Sequence, residues 1–503
     1  MLRVNLIANF LGQGWSALMQ LAFVPVYIQF LGIEAYGLVG FFTVLHLMVA
    51  LLDGGILATV NRTMARFTGG QGTAEEVRDL LRSAEFVLAG FCTLAAIVIA
   101  LASGFIAGGW LQPGSLSHQS VQLSVMLMGV VVALRVMEGI YRASIIGLQR
   151  QVRFNVVYAF IVTLRNGGAA LVVALISPTI EAFFIFQVIA GIVSIAVLFG
   201  FAVGALPKAT RRGRFSWPVL KAAAPFAFGV FLISGTYMLY SQADKLLLPR
   251  LVGLADYGHY ALASLATMAL ILVSGPLSIS VIPRMNQLVA RSDMVNLRYT
   301  FHLVSQLKCA LLGTAALVLA AFAQPALTLW TGQADVAAAT APILTILVIG
   351  QLVHSFTGMP NQLRVSFGET RLNRRVNMLG LVLIVPGVVL GATVAGVTGA
   401  AIAAALTSCA MFLVVARFGF DDSLPDLRRQ YLRDDIVLPL AAAGAVTLAW
   451  RWALPDDLMQ GWPALPLFAL VSATTLVAAL AAAPACRQAA AQEISRLRKR
   501  AGR

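Results

Sequence analysis

Apolar stretches about as long as a bilayer is thick follow one another along nearly the whole chain, separated by short polar gaps. A helix needs about 20 apolar residues to cross the hydrocarbon core. Fourteen segments reach that length: 4–31, 36–60, 83–109, 119–147, 153–177, 180–206, 222–249, 257–282, 303–326, 338–359, 376–394, 397–418, 435–454 and 463–484. The pattern predicts an all-α polytopic membrane protein of about 14 transmembrane helices. The gaps alternate in character. One set is very short, as at 32–35 and 396–399; the other is longer and basic, as in Lys208–Arg214 and Arg371–Arg375. Of 36 Lys and Arg residues, 31 are assigned to the side of the basic gaps, counting Arg142, Arg153, Lys308 and Arg417 near the segment ends that border those gaps; two (Arg250, Arg451) go to the other side, and three (Arg135, Arg165, Lys245) are counted as within spans. Cytoplasmic loops retain Lys and Arg, so both termini are placed in the cytoplasm.

Composition agrees with this reading. Apolar residues make up 59% of the chain and charged residues 11%, against about 45–50% and 25% in soluble domains. The formal charge of +15 would suit nucleic acid only if clustered on one folded face. Here it is scattered over short gaps on one side, which suits anionic lipid instead. Nucleic acid is therefore excluded as a partner. Cys92, Cys309, Cys409 and Cys486 stand singly, without metal or CxxC spacing, and read as small buried apolar residues. The first segment follows a single charge, Arg3, without a small-residue cleavage site, and reads as a retained span. Thr73-Ala-Glu-Glu76 is a capping box that should open a short helix leading into the third span. Arg496–Arg500 is a basic run beyond the last span.

A repeat organises the chain. Gly32-Ile-Glu-Ala-Tyr-Gly37 and Gly253-Leu-Ala-Asp-Tyr-Gly258 both read GxxxYG, 221 residues apart, at the same place in the first and fourth hairpins. Tyrosine there reads as an interfacial anchor. Six spans per repeat, an even number, give both halves one orientation and a pseudo-twofold along the membrane normal. The expected domains are a six-helix lobe at 1–207, a second at 217–420, an extra helix pair at 435–485 and a basic cytoplasmic tail at 486–503.

Polar groups inside spans point to a wet face. The first span carries Asn5, Asn9, Gln13, Ser16 and Gln20 at steps of three or four, a single stripe. The seventh carries Ser234, Tyr237, Ser241 and then Asp244-Lys245. The tenth carries Gln351, His354 and Ser355, with Asn361-Gln362 beyond. The in-span cations Arg135, Arg165 and Lys245 are candidates for an anionic substrate. Glu138 stands one turn from Arg135 and Arg142 and could neutralise them in a ladder; Arg165 has no acid within a turn; Lys245 can pair with Asp244. His46, His354 and Asp53 are coupling or structural candidates, with Asp53 best read as capping a helix break at Gly54-Gly55. Nucleotide-binding, HExxH and GxSxG motifs are missing from the chain, so no catalytic residue, metal or cofactor is expected, and the protein reads as a carrier and not an enzyme.

Leu31–Gly37, Leu52-Asp-Gly-Gly-Ile56, Arg62, Ala243–Leu247, Val252–Gly258, Pro283-Arg284, Gly368–Arg371 and Gly396–Ala401 carry a resemblance. The chain resembles the polysaccharide (Wzx-type oligosaccharide) flippases of the multidrug/oligosaccharidyl-lipid/polysaccharide exporter superfamily. The resemblance implies two facing bundles in the bacterial inner membrane that move an undecaprenyl-pyrophosphate-linked oligosaccharide to the periplasmic leaflet by alternating access. It implies membrane lipids, a polysaccharide polymerase and other export-pathway proteins as partners. The alternative within the superfamily is a multidrug cation antiporter, which needs acids deep in its cleft. A membrane glycosyltransferase or ligase would need a large outer loop, and the outer gaps reach only about ten residues.

Overall fold

The computed structural model describes residues 2–53, 55–207, 210–211, 213–420, 425–459 and 461–501; the side chains of 2–10, 52, 232–234, 271–276, 279–280, 425, 456–457, 462 and 496–501 lie outside the description. The regular secondary structure of the described residues is all helical. Ten helices are long and apolar enough to cross a membrane, eleven if the bent pair within Trp217–Leu251 is one span. The fourteen expected segments all fall on helical backbone. The counts differ because uninterrupted helix and membrane crossing are different units. Arg371–Phe418 runs as two helices joined directly through the non-helical Ala395 (φ −139°) and Gly396 (φ 58°), and so contains two expected segments. The first two segments are instead interrupted at Phe23 and around residues 51–55.

The chain divides into two compact units, Met1–Gly258 and His259–Arg503. The first contains α1 (Leu2–Ala22), α2 (Val24–Ala50), α3 (Ile56–Thr68), α4 (Ala74–Phe105), α5 (His118–Gly147), α6 (Gln151–Leu175), α7 (Ile180–Ala205), α8 (Trp217–Leu251) and the start of α9 (Leu254–Ala290). This compact division falls later than the 207/217 boundary drawn from the repeat, because α8 packs on α2, α3 and α4. The capping box forms as read: Glu76 N donates to Thr73 Oγ1 and Thr73 N to Glu76 Oε2, each at 3.2 Å. It opens α4, whose first turns hold Thr210, Arg211 and Arg214 of the basic linker. Arg211 donates to both oxygens of Asp79 (2.8 and 2.6 Å), and Arg214 N donates to Asp79 Oδ1. The Asp79 carboxylate holds the Arg211 guanidinium above its ordinary pKa.

The two GxxxYG motifs meet within this unit. Gly32 takes φ +82°, the left-handed region that glycine tolerates, and turns the chain into the second segment. A Cβ on Gly37 would stand 2.5 Å from the Leu254 carbonyl oxygen, and one on Gly258 would overlap the Ile33 carbonyl. The motifs cross main chain on main chain, in the way small residues let membrane helices approach. Tyr36 and Tyr257 are consequently buried (4% and 1% exposed). They are core residues of this crossing and do not anchor at an interface. Glu34 of the first motif accepts from the amides of Gly114, Ser115 and Leu116.

The second unit contains the rest of α9, then α10 (Met294–Ala321), α11 (Ala323–Thr331), α12 (Ala334–Ser355), α13 (Gly358–Ser366), α14 (Arg371–Phe418), α15 (Pro425–Gln430), α16 (Leu438–Ala453), α17 (Leu465–Ala482) and α18 (Pro484–Ala501). The extra pair α16–α17 packs on α10. A buried polar node fixes its basic end. The fully buried Asp435, on the π-helical turn Tyr431–Val437 before α16, lies 2.8 Å from His302 Nδ1 and accepts from Gln306 Nε2 at 2.8 Å; Gln306 Oε1 accepts from Ala485 N at 2.7 Å. Asp293 caps α10, accepting from Asn296 N (3.1 Å) and Asn296 Nδ2 (2.7 Å). These donors hold its carboxyl below the ordinary carboxylate range.

Candidate functional site

In the first unit, α2, α5, α6 and α7 bring charge into an apolar interior. Arg165 on α6 is 6% exposed, donates to Glu138 Oε2 of α5 at 2.5 Å and to Ser194 Oγ of α7 at 3.1 Å. Its charge is therefore neutralised inside the bundle. Two local expectations change. Glu138 neutralises neither Arg135 nor Arg142 on its own helix; it reaches across to Arg165, 27 residues away in sequence. Arg165, without an acid within a turn, gains one through packing.

Arg135 is left with neutral partners. Its Nη2 donates to Gln187 Oε1 at 3.1 Å, and its guanidinium carbon stands 4.7 Å from the Phe42 ring centroid. Among the described residues no carboxylate lies in salt-bridge range of it. His46 stacks on the same Phe42 ring at 6.4 Å, and its Nδ1 has no partner among the described residues. Arginine over an aromatic face with one amide partner is a cation held in place and left electrostatically open.

Gln13 and Gln20 of the first-span stripe face away from the helix that α1 packs on. α1 packs on α6, where Trp15 Nε1 donates to Thr163 Oγ1 at 2.9 Å. Gln13 and Gln20, seven residues apart on the other face, are exposed and have no hydrogen-bond partner among the described residues. Ser16 donates to Gly12 O within its helix. The side chains of Asn5, Asn9 and Ser234 lie outside the described residues. On α8, Tyr237 is 51% exposed, Ser241 donates to Met238 O, and Lys245 Nζ pairs with Asp244 at 3.1 Å. In the second unit Gln351 and His354 on α12 are half-buried.

Three described carboxylates deep in the helices are paired. Glu138 holds Arg165, Asp244 holds Lys245, and Asp435 holds His302 and Gln306. Asp53 accepts from Gly55 N at 2.7 Å, with Gly55 at φ +80°, which places it at the helix break. The cations are not matched in the same way. Counting by gaps assigns Lys308 to the basic side of the ninth span, where a long side chain can snorkel. The structure instead buries it, with Nζ donating to Ser278 Oγ at 3.0 Å. Its position inside the 303–326 segment was the available signal.

The architecture is that of a multi-pass membrane protein, with ten span-length apolar helices among the described residues. Residues 2–289, more than half of the chain, match the family model described as "Polysaccharide biosynthesis protein", and the chain belongs to that family. Its fold is similar to "Lipid II flippase MurJ, inward closed conformation" (TM-score 0.64, 11% identity, covering 94% of this chain and 97% of that one). It is also similar to an inward-facing multidrug resistance MATE family transporter of the MOP superfamily (TM-score 0.67, 13% identity, 82% and 96% covered). A third likeness is to the MATE transporter VcmN of Vibrio cholerae (TM-score 0.57, 16% identity, 85% and 98% covered). No curated protein matches the sequence. The chain therefore combines membership of this family with the fold shared by that flippase and those transporters.

Proposed function

We propose that the protein carries an undecaprenyl-pyrophosphate-linked oligosaccharide from the cytoplasmic to the periplasmic leaflet of the bacterial inner membrane. The six-helix lobes 1–207 and 217–420 would alternate access to a wet path between them, with both termini in the cytoplasm. The observation that carries this reading is the imbalance of embedded charge: Glu138, Asp244 and Asp435 each hold a partner, while Arg135 has no carboxylate in salt-bridge range among the described residues. An exporter of cations needs the reverse. Family membership and the likeness to a lipid II flippase support the same class of cargo. Arg135 would meet the pyrophosphate. Gln13, Gln20, Tyr237, Ser241 and Gln351, with Asn5 and Asn9, would offer the amides and hydroxyls a glycan requires, and the polyprenyl tail would stay in lipid. Arg165 with Glu138 would hold the bundle behind Arg135.

The test is a leaflet-accessibility assay. Vesicles containing the full chain and the lipid-linked oligosaccharide are treated with a membrane-impermeant sugar-modifying reagent. Wild type should expose the inner pool, and Arg135→Met should slow exposure at least about tenfold, the scale of one charge-assisted hydrogen bond. Exposure no faster than in protein-free vesicles would sink the proposal.

A further inference from the structure

We infer that Lys308, together with Ser278, Ser305 and Asn361, forms a phosphate seat inside the second unit, serving the pyrophosphate of the lipid-linked cargo. The inference rests on the function proposed above.

The starting point is a charge without a counter-charge. Lys308 lies on α10 within the 303–326 segment, 7% exposed, and its ammonium donates to a neutral hydroxyl, Ser278 Oγ of α9. Among the described residues no carboxylate lies in salt-bridge range of it. An ionised amine taken out of water costs several kcal/mol unless something repays it, and a membrane helix rarely keeps such a group without a use. Two other embedded cations, Arg165 and Lys245, each have their acid.

The surroundings supply the second observation. Ser305, one turn before Lys308 on the same helix and 4% exposed, has a hydroxyl with no partner among the described residues. Asn361 on α13 has a buried Oδ1 in the same condition. α13 faces the lysine with its first turn, because a Cβ on Gly358 would stand 3.5 Å from Lys308 Nζ. Asn361, three residues on, shares that helix face. One ammonium with spare donors, two hydroxyls and one amide therefore converge from three helices. A phosphate oxygen suits this set: the ammonium and the Ser305 hydroxyl donate to it, and the amide can turn its NH2 inward. Ser278 and Asn361 are half-buried and form the open rim.

The experiment measures binding of undecaprenyl pyrophosphate and of undecaprenol to the purified full-length protein, with inorganic pyrophosphate as competitor. Wild type should prefer the pyrophosphate lipid by at least about tenfold. Lys308→Met should erase that preference, Lys308→Arg should keep most of it, and Ser305→Ala should reduce it by about threefold. Thermal unfolding of each variant checks folding, and Lys308→Arg separates charge from packing. A preference unchanged in a folded Lys308→Met protein overturns the seat and leaves the proposed function standing. No preference in wild type overturns both. Inorganic pyrophosphate binding more tightly than the lipid would overturn the lipid as the source of the phosphate.

Discussion

Two buried cations, Arg165 in the first unit and Lys308 in the second, are held in opposite ways, and the contrast separates charge that builds the fold from charge that can meet a ligand. In the first unit Arg165 is clamped by Glu138 at 2.5 Å and backed by Ser194. In the second, Lys308 is buried as deeply, and among the described residues its ammonium donates to a hydroxyl and meets no carboxylate. Sequence position alone makes Arg165 the better anion-binding candidate, since it lies mid-span without a nearby acid. Packing reverses that order. A buried ion pair has spent its field on its partner; a buried cation beside neutral dipoles still projects it.

The largest effect that would sharpen this contrast comes from Glu138→Gln. It strands Arg165 in the interior and should cost about 3–5 kcal/mol, read as a large drop in the thermal unfolding midpoint. The double variant Glu138→Gln with Arg165→Met should recover most of the loss. If the single variant unfolds like wild type, the pair is not holding the bundle. Arg135→Met comes next: losing one amide hydrogen bond and the Phe42 stacking should cost about 1 kcal/mol. A cost as large as that of Glu138→Gln would return Arg135 to a structural role. Lys308→Met should leave stability within about 1 kcal/mol of wild type, or raise it, because an unpaired buried charge is removed.

The smallest effect lies at the mouth of the same helix. Asp293 is held below the ordinary carboxylate range by Asn296. A depressed folded pKa means that its contribution to the cap is complete above the unfolded value of about 4 and is lost as pH falls through the folded value. Hydrogen exchange at the Asn296 amide, corrected for intrinsic rates, should therefore lose protection only in that acid window. Loss near neutral pH would place the cap's stability elsewhere.

Much of the architecture was legible in the sequence because a bilayer imposes it by length and charge. The segments, the Arg371–Phe418 hairpin and the Thr73–Glu76 box each depend on residues close in the chain. What was not legible depends on distance in sequence. Glu138 can be read as belonging to Arg135 or Arg142 until α6 is placed beside α5. Tyr36 and Tyr257 look like interfacial anchors until the two motifs are seen to cross. Lys308 sits where snorkelling is the ordinary outcome, and only the helices around it show that its ammonium stays inside.

The crossing of the two GxxxYG turns also sets a schedule. Its halves are 221 residues apart, which at translation rates of about 5–20 residues per second is a wait of roughly 10–45 s. Until Leu254–Gly258 has been synthesised, Tyr36 lacks the dry niche it finally occupies, and the first hairpin must persist in the bilayer half-finished. Ribosome-stalled chains carrying Tyr36→Cys should react with a thiol reagent when they end before Gly253 and become protected once Gly258 has cleared the exit tunnel. Early protection would mean that some other part of the nascent chain shelters the turn first.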